Sequence, residues 1–378
     1  MSFESLLTPV PLPSGAVLPN RIVMAPMVVQ GSDPATGHVT DEDVAFVARR
    51  TTVAGTLISA AAYVTPDGKG FDRQMSIADD TCVPGLRRLA TAMRQDGARA
   101  LVQLYHGGRE ARPAADALGR ALAPSTIEFP WLPYVPQAMT EDEIAATITA
   151  FGDATRRAIE AGFDGVEIHG ANHYLLQQFF SASSNHRDDA WGGDLERRMA
   201  FPLAVVAEVQ RVAASAGREF VVGYRLCPDE VHGDVVGYTV DDARVLADRV
   251  AATGIDYLHV SVFGGYATGP ADDDRSYGRH VVDAAAGRCP VIIVSEVFTA
   301  AGAVGALKHG DLVAIGRAAL IEPEFAAKIV AGRLDEIETS VKGRYLDLDL
   351  PAGLREWYAS DAGRALLPPL AGVEDYVG

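Results

Sequence analysis

The sequence predicts an α/β chain folded as a single (β/α)8 TIM barrel, with long loops after its third and sixth strands and a C-terminal extension. Three observations carry this. Short apolar runs alternate with longer segments of helical period eight times in order, and no second pattern interrupts them. No glycine-rich dinucleotide fingerprint follows the first apolar run, where "MAPM" stands instead, so a doubly wound sheet is the poorer fit. Polar side chains gather at the ends of the apolar runs, where barrels of this architecture place their chemistry.

The elements follow in order. "RIVMAPM" (21–27) reads as the first strand, and 40–55 as a helix with a Thr40 cap, early acids and a closing glycine. Residues 56–64 form the second strand, 82–97 the second helix and 98–106 the third strand. The Pro-rich stretch 107–139 exceeds an ordinary connection and is expected to act as a lid or binding loop. Residues 139–162 make a helix with a Thr140/Glu143 capping box and Gly162 as its stop. The fourth strand is 165–169. Residues 196–217 read as the helix that follows, with Pro202 a candidate start of its main segment. Strands five to eight are 219–226, 255–262, 290–297 and 311–317, separated by helical patterns and, after the sixth, a Gly- and Asp-rich loop at 263–278. Residues 1–340 are thus expected to be the barrel. The aromatic, Pro-containing tail 341–378 is expected to pack on the barrel or on a neighbouring subunit of a homodimer.

Composition narrows the function. The 378 residues are 48% hydrophobic and 22% charged, an ordinary globular balance, and the formal net charge is −17. Such a chain should repel nucleic acid and anionic membranes, and a small anionic ligand would need a local cationic site. The cysteines Cys82, Cys227 and Cys289 are scattered without a CxxC, so neither a disulfide framework nor a zinc signature is present. The N-terminus lacks a basic region and a long apolar run, and no apolar stretch approaches the roughly 18 residues of a membrane span. A cytoplasmic location is the expectation.

The strand ends supply Ala25-Pro26-Met27, Gln103, His106, His169, Arg225 and Gly316-Arg317. These are amide, imidazole and guanidinium groups with no carboxylate pair and no evident nucleophile, a set suited to a polar, partly anionic ligand. Phosphate sites in such barrels form after strands seven and eight, which makes Gly316 and Arg317 a candidate phosphate clamp. Arg225 sits in an apolar strand, where a guanidinium must be paired, either in a structural ion pair or with negative charge on a ligand. In "VEIHGANHYLLQQFF" (166–180), His169 and His173 stand four apart, yet His169 ends a strand and the glutamate of a zinc-protease motif is missing. A metal pair that includes Glu167, a satisfied core histidine and a substrate anchor are the three readings.

Taken together, "NRIVMAPM", "QLYHGGR", "VEIHGANHYLLQQFFSASSNHRDDAWGGDLERR", "YRL" and "DLVAIGR" resemble the old yellow enzyme family of FMN-dependent ene-reductases, over roughly residues 3 to 335. The resemblance implies tightly but non-covalently bound FMN, NADH or NADPH as reductant, and a small electron-poor alkene as substrate. Ala25, Pro26, Met27, Val28 and Ala61 would lie along the flavin, and Gln103 would meet its pyrimidine edge. Arg225 would stand near N1 and the C2 carbonyl. Gly316 and Arg317 would hold the phosphate, assisted by backbone amides around Glu296 and Val297. His169 and Asn172 would bind the carbonyl or nitro oxygen, and Tyr174 would protonate the α-carbon after hydride reaches the β-carbon. The H-x-x-N-x-Y spacing matches the family's form and leaves His173 without a role.

Three positions depart from the family pattern. Val28 stands where the family commonly has Thr or Cys and cannot donate a hydrogen bond. Gln30 takes the place of an aromatic substrate contact in some relatives. Glu296 brings an acid beside the expected phosphate, and its side chain is expected to point away. The alternatives are another flavin-barrel oxidation or reduction of an amine or ring substrate, and a flavin-free barrel that binds a phosphorylated metabolite.

Overall fold

The structure, a computed structural model, describes residues 3–376. Eight parallel strands close into a barrel: β1 (Ile22–Met24), β2 (Thr56–Tyr63), β3 (Arg99–Tyr105), β4 (Gly165–Gly170), β5 (Val221–Leu226), β6 (Tyr257–Val260), β7 (Val291–Val294) and β8 (Leu312–Ile315). Each pairs with its successor in sequence, and β8 closes on β1 through Val313 opposite Ile22 and Ile315 opposite Met24. These strands are buried on both faces, which is why they read as continuous apolar runs rather than alternating ones.

The two ends of the barrel differ. At the N-terminal end, an antiparallel pair of short strands, Val10–Pro11 and Val17–Leu18, inserts Val10, Leu12 and Leu18 against the inward residues Val23, Ile58, Leu101, Val221, Ile292 and Leu312. This plug seals the bottom with apolar surface. The C-terminal end stays open, and the polar strand-end residues collect there.

Local rules account for the helical layer. Thr40 caps Asp41–Ala48 in a box with Asp43, Thr140 caps Glu141–Ala161 in a box with Glu143, and Thr239 caps Val240–Ala252 in a box with Asp242. Gly162 ends the second of these in the left-handed region at φ 87°. The helix read over 196–217 is found, but Pro202 does not start its main segment. Asp194 caps the helix Leu195–Ala213 by accepting from the Arg197 N–H, so the helix starts ahead of Pro202, which lies in its interior. Leu195–Ala216 is also long and apolar enough by composition to cross a membrane, contrary to the sequence expectation. Its apolar stripe of Met199, Phe201, Val205, Val206 and Val209 is fully buried on the barrel.

The loop after β3 is partly ordered by the short helix Arg112–Leu118 and by the paired segments Leu122–Ala123 and Gln137–Ala138. A hairpin the sequence did not announce, Glu230–His232 with Val235–Tyr238, follows β5. The tail contributes Leu348, Leu350, Leu354 and Tyr358 to the main core. Arg50, fully buried, ties it down: its guanidinium donates to the carbonyls of Phe46, Ala319, Leu320 and Leu348 and lies over the Phe46 ring at 4.0 Å.

Candidate active site

At the open end lies a cavity of about 1720 Å³. That exceeds the roughly 300–1,000 Å³ of an ordinary small-molecule site and leaves room for a cofactor and a substrate together. Ala25, Pro26, Met27, Val28, Gln30, Ala61, Gln103, His169, Asn172, Tyr174, Arg225, Gly316 and Arg317 all line it. Residues from β1 to β5 and β8, far apart in sequence, converge because each ends a strand at the same rim.

The floor is organised around Glu167 on β4, a carboxylate with no solvent exposure. It accepts hydrogen bonds from Gln103 Nε2 (2.7 Å) and Tyr257 Oη (3.0 Å) and lies 2.8 Å from His259 Nδ1. Burial opposes its charge, but His259, Arg225 and the Gln103 hydrogen bond outweigh burial and hold its pKa below the usual carboxylate range. Glu167 thus fixes the Gln103 amide with its NH2 toward the floor, leaving Oε1 for a ligand. A metal pairing of Glu167 with His169 has no support, since Glu167 is fully engaged by these three donors.

Arg225 on β5 is buried and donates from Nη2 to Ser261 Oγ at 3.0 Å, while its Nε is buried with no partner among the described residues. An unpaired guanidinium N–H is costly to bury, so its presence on the cavity wall fits an anionic or carbonyl-bearing ring edge. Ser261 passes the order on by donating to Asn172 Oδ1 at 2.9 Å. Cys227 completes the setting: its Sγ accepts from the Asn172 backbone N–H at 3.2 Å and donates to Oδ1 at 3.6 Å. With Oδ1 occupied, the Asn172 NH2 is the part left to face the cavity.

His169 Nδ1 accepts from the Ala171 N–H at 3.2 Å, which puts the ring proton on Nε2. Burial, with Arg225 and His259 close by, holds its pKa well below the ordinary histidine value, so the ring is a neutral donor. Asn172 and His173 are both in the left-handed region, at φ 57° and 62°. Two successive non-glycine residues there carry backbone strain, which suits a turn shaped for a site.

Tyr174 packs edge-on to Tyr105 (4.4 Å between centroids) and to His169 (5.0 Å). Burial pushes its pKa up to about 12, so its phenol stays protonated. Val28 packs in the same cluster with Ala61, Tyr63, Tyr105 and Tyr174.

At the far end of the cavity Gly316 opens the helix Arg317–Ile321, and Arg317 donates to the carbonyl of Pro369 at 3.0 Å. Here the sequence expectation is corrected. Glu296 does not point away. Its Oε1 accepts directly from Arg317 Nη2, because Ser295 and Glu296 take positive φ values of 121° and 54° that turn the chain after β7 toward Arg317. Val297 turns into the core, and neither Glu296 nor Val297 lines the cavity. His106, another strand-end residue, accepts from the Gly108 N–H and lies 3.4 Å from Asp67, outside the cavity.

Several lining or positioning groups were not singled out from the sequence. Arg109 is buried over the Phe129 ring at 4.4 Å and donates to Ser184 at 2.5 Å and to Glu110 at 3.0 Å. Trp357 in the tail helix meets Phe71 at 5.9 Å, so the tail forms part of the cavity wall. Glu167, weighed in the sequence only as a metal partner, had a visible signal, an acid inside an apolar strand. Ser261, Cys227 and Trp357 had none.

Fold and site together define a flavin-dependent oxidoreductase on a (β/α)8 barrel. The chain belongs to the NADH:flavin oxidoreductase / NADH oxidase family, matched over residues 5–336, which includes the old yellow enzymes. It is 40% identical over 349 residues to a probable NADH-dependent flavin oxidoreductase of Bacillus subtilis, covering 90% of this chain and 92% of that protein. It is 40% identical over 347 residues to the NADH:fumarate oxidoreductase of Klebsiella pneumoniae, covering 89% of this chain but 37% of that longer protein. Among solved structures, morphinone reductase superposes with a TM-score of 0.75 at 27% identity, covering 87% of this chain and 91% of that one. The old yellow enzyme homologue of Zymomonas mobilis superposes with a TM-score of 0.77 at 25% identity, covering 97% and 100%. The protein is therefore an oxidoreductase whose cofactor is FMN and whose reductant is NADH or NADPH.

Proposed function

We propose that this protein reduces activated C=C bonds of enones, enals, nitroalkenes or related electron-poor alkenes. One observation carries the reading: the neutral His169 Nε2–H and the Asn172 NH2, both without a partner among the described residues, line the same cavity as the protonated Tyr174. Two neutral donors on one acceptor oxygen polarise a conjugated system and stabilise the negative charge that develops on that oxygen. They do so without competing for the proton, since neither is acidic at neutral pH.

In this reading Gln103 and Arg225 hold the ring edge of FMN, Ala25 to Val28 and Ala61 line its face, and Gly316 and Arg317 hold its phosphate. When bound, FMN supplies hydride drawn from NAD(P)H. The chain's own residues do the rest. His169 and Asn172 orient the substrate by its oxygen, and Tyr174 delivers a proton to the α-carbon as general acid. The relatives named for fumarate and acrylate reduction support a conjugated, oxygen-bearing alkene as the substrate class. An amine or ring oxidation would call for a base in place of a phenol held protonated.

The test separates the two half-reactions by stopped flow. Tyr174→Phe should leave flavin reduction by NAD(P)H within about twofold, while reoxidation by an enone or acrylate falls by the ~10²–10⁴-fold typical of losing a general acid. Unchanged reoxidation in the variant would refute the role of Tyr174.

A further inference from the structure

His173 has no part in that chemistry, and its surroundings suggest another. Glu230 and His232 come from the hairpin after β5, and His173 from the strained turn after β4. One ligand atom from each of the three lies within 4.8 Å of the others. His173 Nδ1 is 4.0 Å from Glu230 Oε2, and the two imidazoles meet at 5.0 Å between centroids.

The carboxylate is built in. Glu230 is 3% exposed, its Oε1 accepts from Ser181 and Ser183 (2.7 Å each), and its Oε2 accepts from Gln177 at 2.7 Å. Burial opposes its charge, but the Ser183, Gln177 and Ser181 hydrogen bonds prevail and lower its pKa. The carboxylate is therefore charged and oriented, with a lone pair of Oε2 toward the histidines. Gln177 also accepts from the His173 N–H at 3.0 Å, so one amide fixes both the acid and the backbone of the first histidine. Metal sites require this kind of outer support for their ligands.

We propose that His173, Glu230 and His232 form a divalent-cation site, able to take zinc, on the wall of the substrate cavity. Two imidazoles and one carboxylate match the donor set zinc prefers, and the fourth tetrahedral position opens into the cavity that all three residues line. Ligand atoms around a tetrahedral zinc at about 2.0–2.2 Å stand roughly 3.4 Å apart. Closing from the present spacing needs His173 and Glu230 to draw together by about 0.6 Å and both imidazoles to rotate, His173 Nδ1 off Gln177 Nε2, which now lies 3.4 Å away, and the exposed His232 into place. A bound ion would pin the hairpin to the turn that carries Asn172 and narrow the entrance for substrate. This effect is independent of which alkene is reduced.

The experiment is zinc titration of the FMN-loaded protein by calorimetry, with His232→Ala and Glu230→Gln alongside. His232 is exposed, so its variant should fold normally and keep its FMN. The expected result is one zinc per chain in the wild type, with each variant weakened by at least the ~10–100-fold that loss of an outer-shell partner alone produces. Micromolar zinc should slow alkene-driven reoxidation of the wild type but not of His232→Ala. Absence of zinc binding to the wild type, or binding that neither substitution weakens, as a site at the His38, Asp79 and Cys82 group would give, overturns the proposal.

Discussion

Ser261 Oγ donates a hydrogen bond to Asn172 Oδ1 at 2.9 Å while accepting one from Arg225 Nη2 at 3.0 Å. A hydroxyl has one proton, so this arrangement sets the direction of both bonds and leaves the Asn172 NH2 as the donor to the cavity. The guanidinium proposed for the flavin edge and the amide proposed for the substrate are thereby one connected unit.

Ser261→Ala should free the Asn172 amide to flip. Alkene binding is expected to weaken by about tenfold, the loss of roughly 1–1.5 kcal/mol from one buried hydrogen bond. FMN content should be unchanged, and Ser261→Thr should restore most of the binding. Dissociation constants for an alkene analogue across the three proteins check this; equal constants would refute it.

Val28 presents two methyl groups to the cluster around Ala61 and Tyr105, where a hydroxyl would offer a donor. If Val28 lies along the flavin as proposed, the missing donor leaves the electron-rich form of the cofactor less stabilised. Val28→Thr should raise the flavin midpoint potential by tens of millivolts, on the order of one hydrogen bond of about 1 kcal/mol. A potential that stays or falls counts against the assignment of Val28 to the flavin face.

Arg317 is shared between Glu296 and the Pro369 carbonyl, so the phosphate proposed to bind there would compete with a carboxylate already in place. The pair is partly exposed, with side chains 19% and 50% accessible, and is worth the ~0.2–1 kcal/mol of such pairs. Glu296→Gln should therefore tighten FMN by about 1.5- to 5-fold and slow its release, with the difference shrinking at high salt. Weaker FMN binding in the variant would show that Glu296 supports the phosphate site rather than opposing it.

The pH behaviour follows from the buried donors. His169 stays neutral because its pKa lies well below 6.5, and Tyr174 stays protonated up to about 12. Alkene affinity should be flat from about pH 6 to 8; a charged imidazole would instead grip the oxygen more tightly as pH falls through about 6.5. Stability behaves differently. His169, His259 and His173 are all depressed, so the unfolded chain takes up protons that the fold refuses, and stability falls as pH drops below about 6.5. Melting temperature against pH reads the second effect, and analogue titrations at each pH read the first.

Much of the barrel was legible because its signals are local. Thr140, Glu143 and Gly162 mark one helix unambiguously, and the buried parallel strands are apolar throughout. Pro202 misled only as a candidate start of the main segment, because the Asp194 cap and the burial of Phe201 and Val205 carry one continuous helix through it. The site residues at strand ends were legible for the same reason as the fold. What binds them together was not: the contacts of Glu167 with His259 and of Ser261 with Asn172 span 92 and 89 residues. The turn of Glu296 toward Arg317 depends on two positive φ values at Ser295 and Glu296, residue types that give no warning of them.

The most direct test is a spectral titration of the FMN-loaded protein with a phenol, whose oxygen should sit between His169 and Asn172 above the flavin. The account predicts a long-wavelength charge-transfer band in the wild type that is lost in Asn172→Ala while the flavin spectrum itself persists. A fully loaded wild type that gives no such band at saturating phenol, or an Asn172→Ala variant that gives it undiminished, would contradict the placement of substrate and cofactor in this cavity.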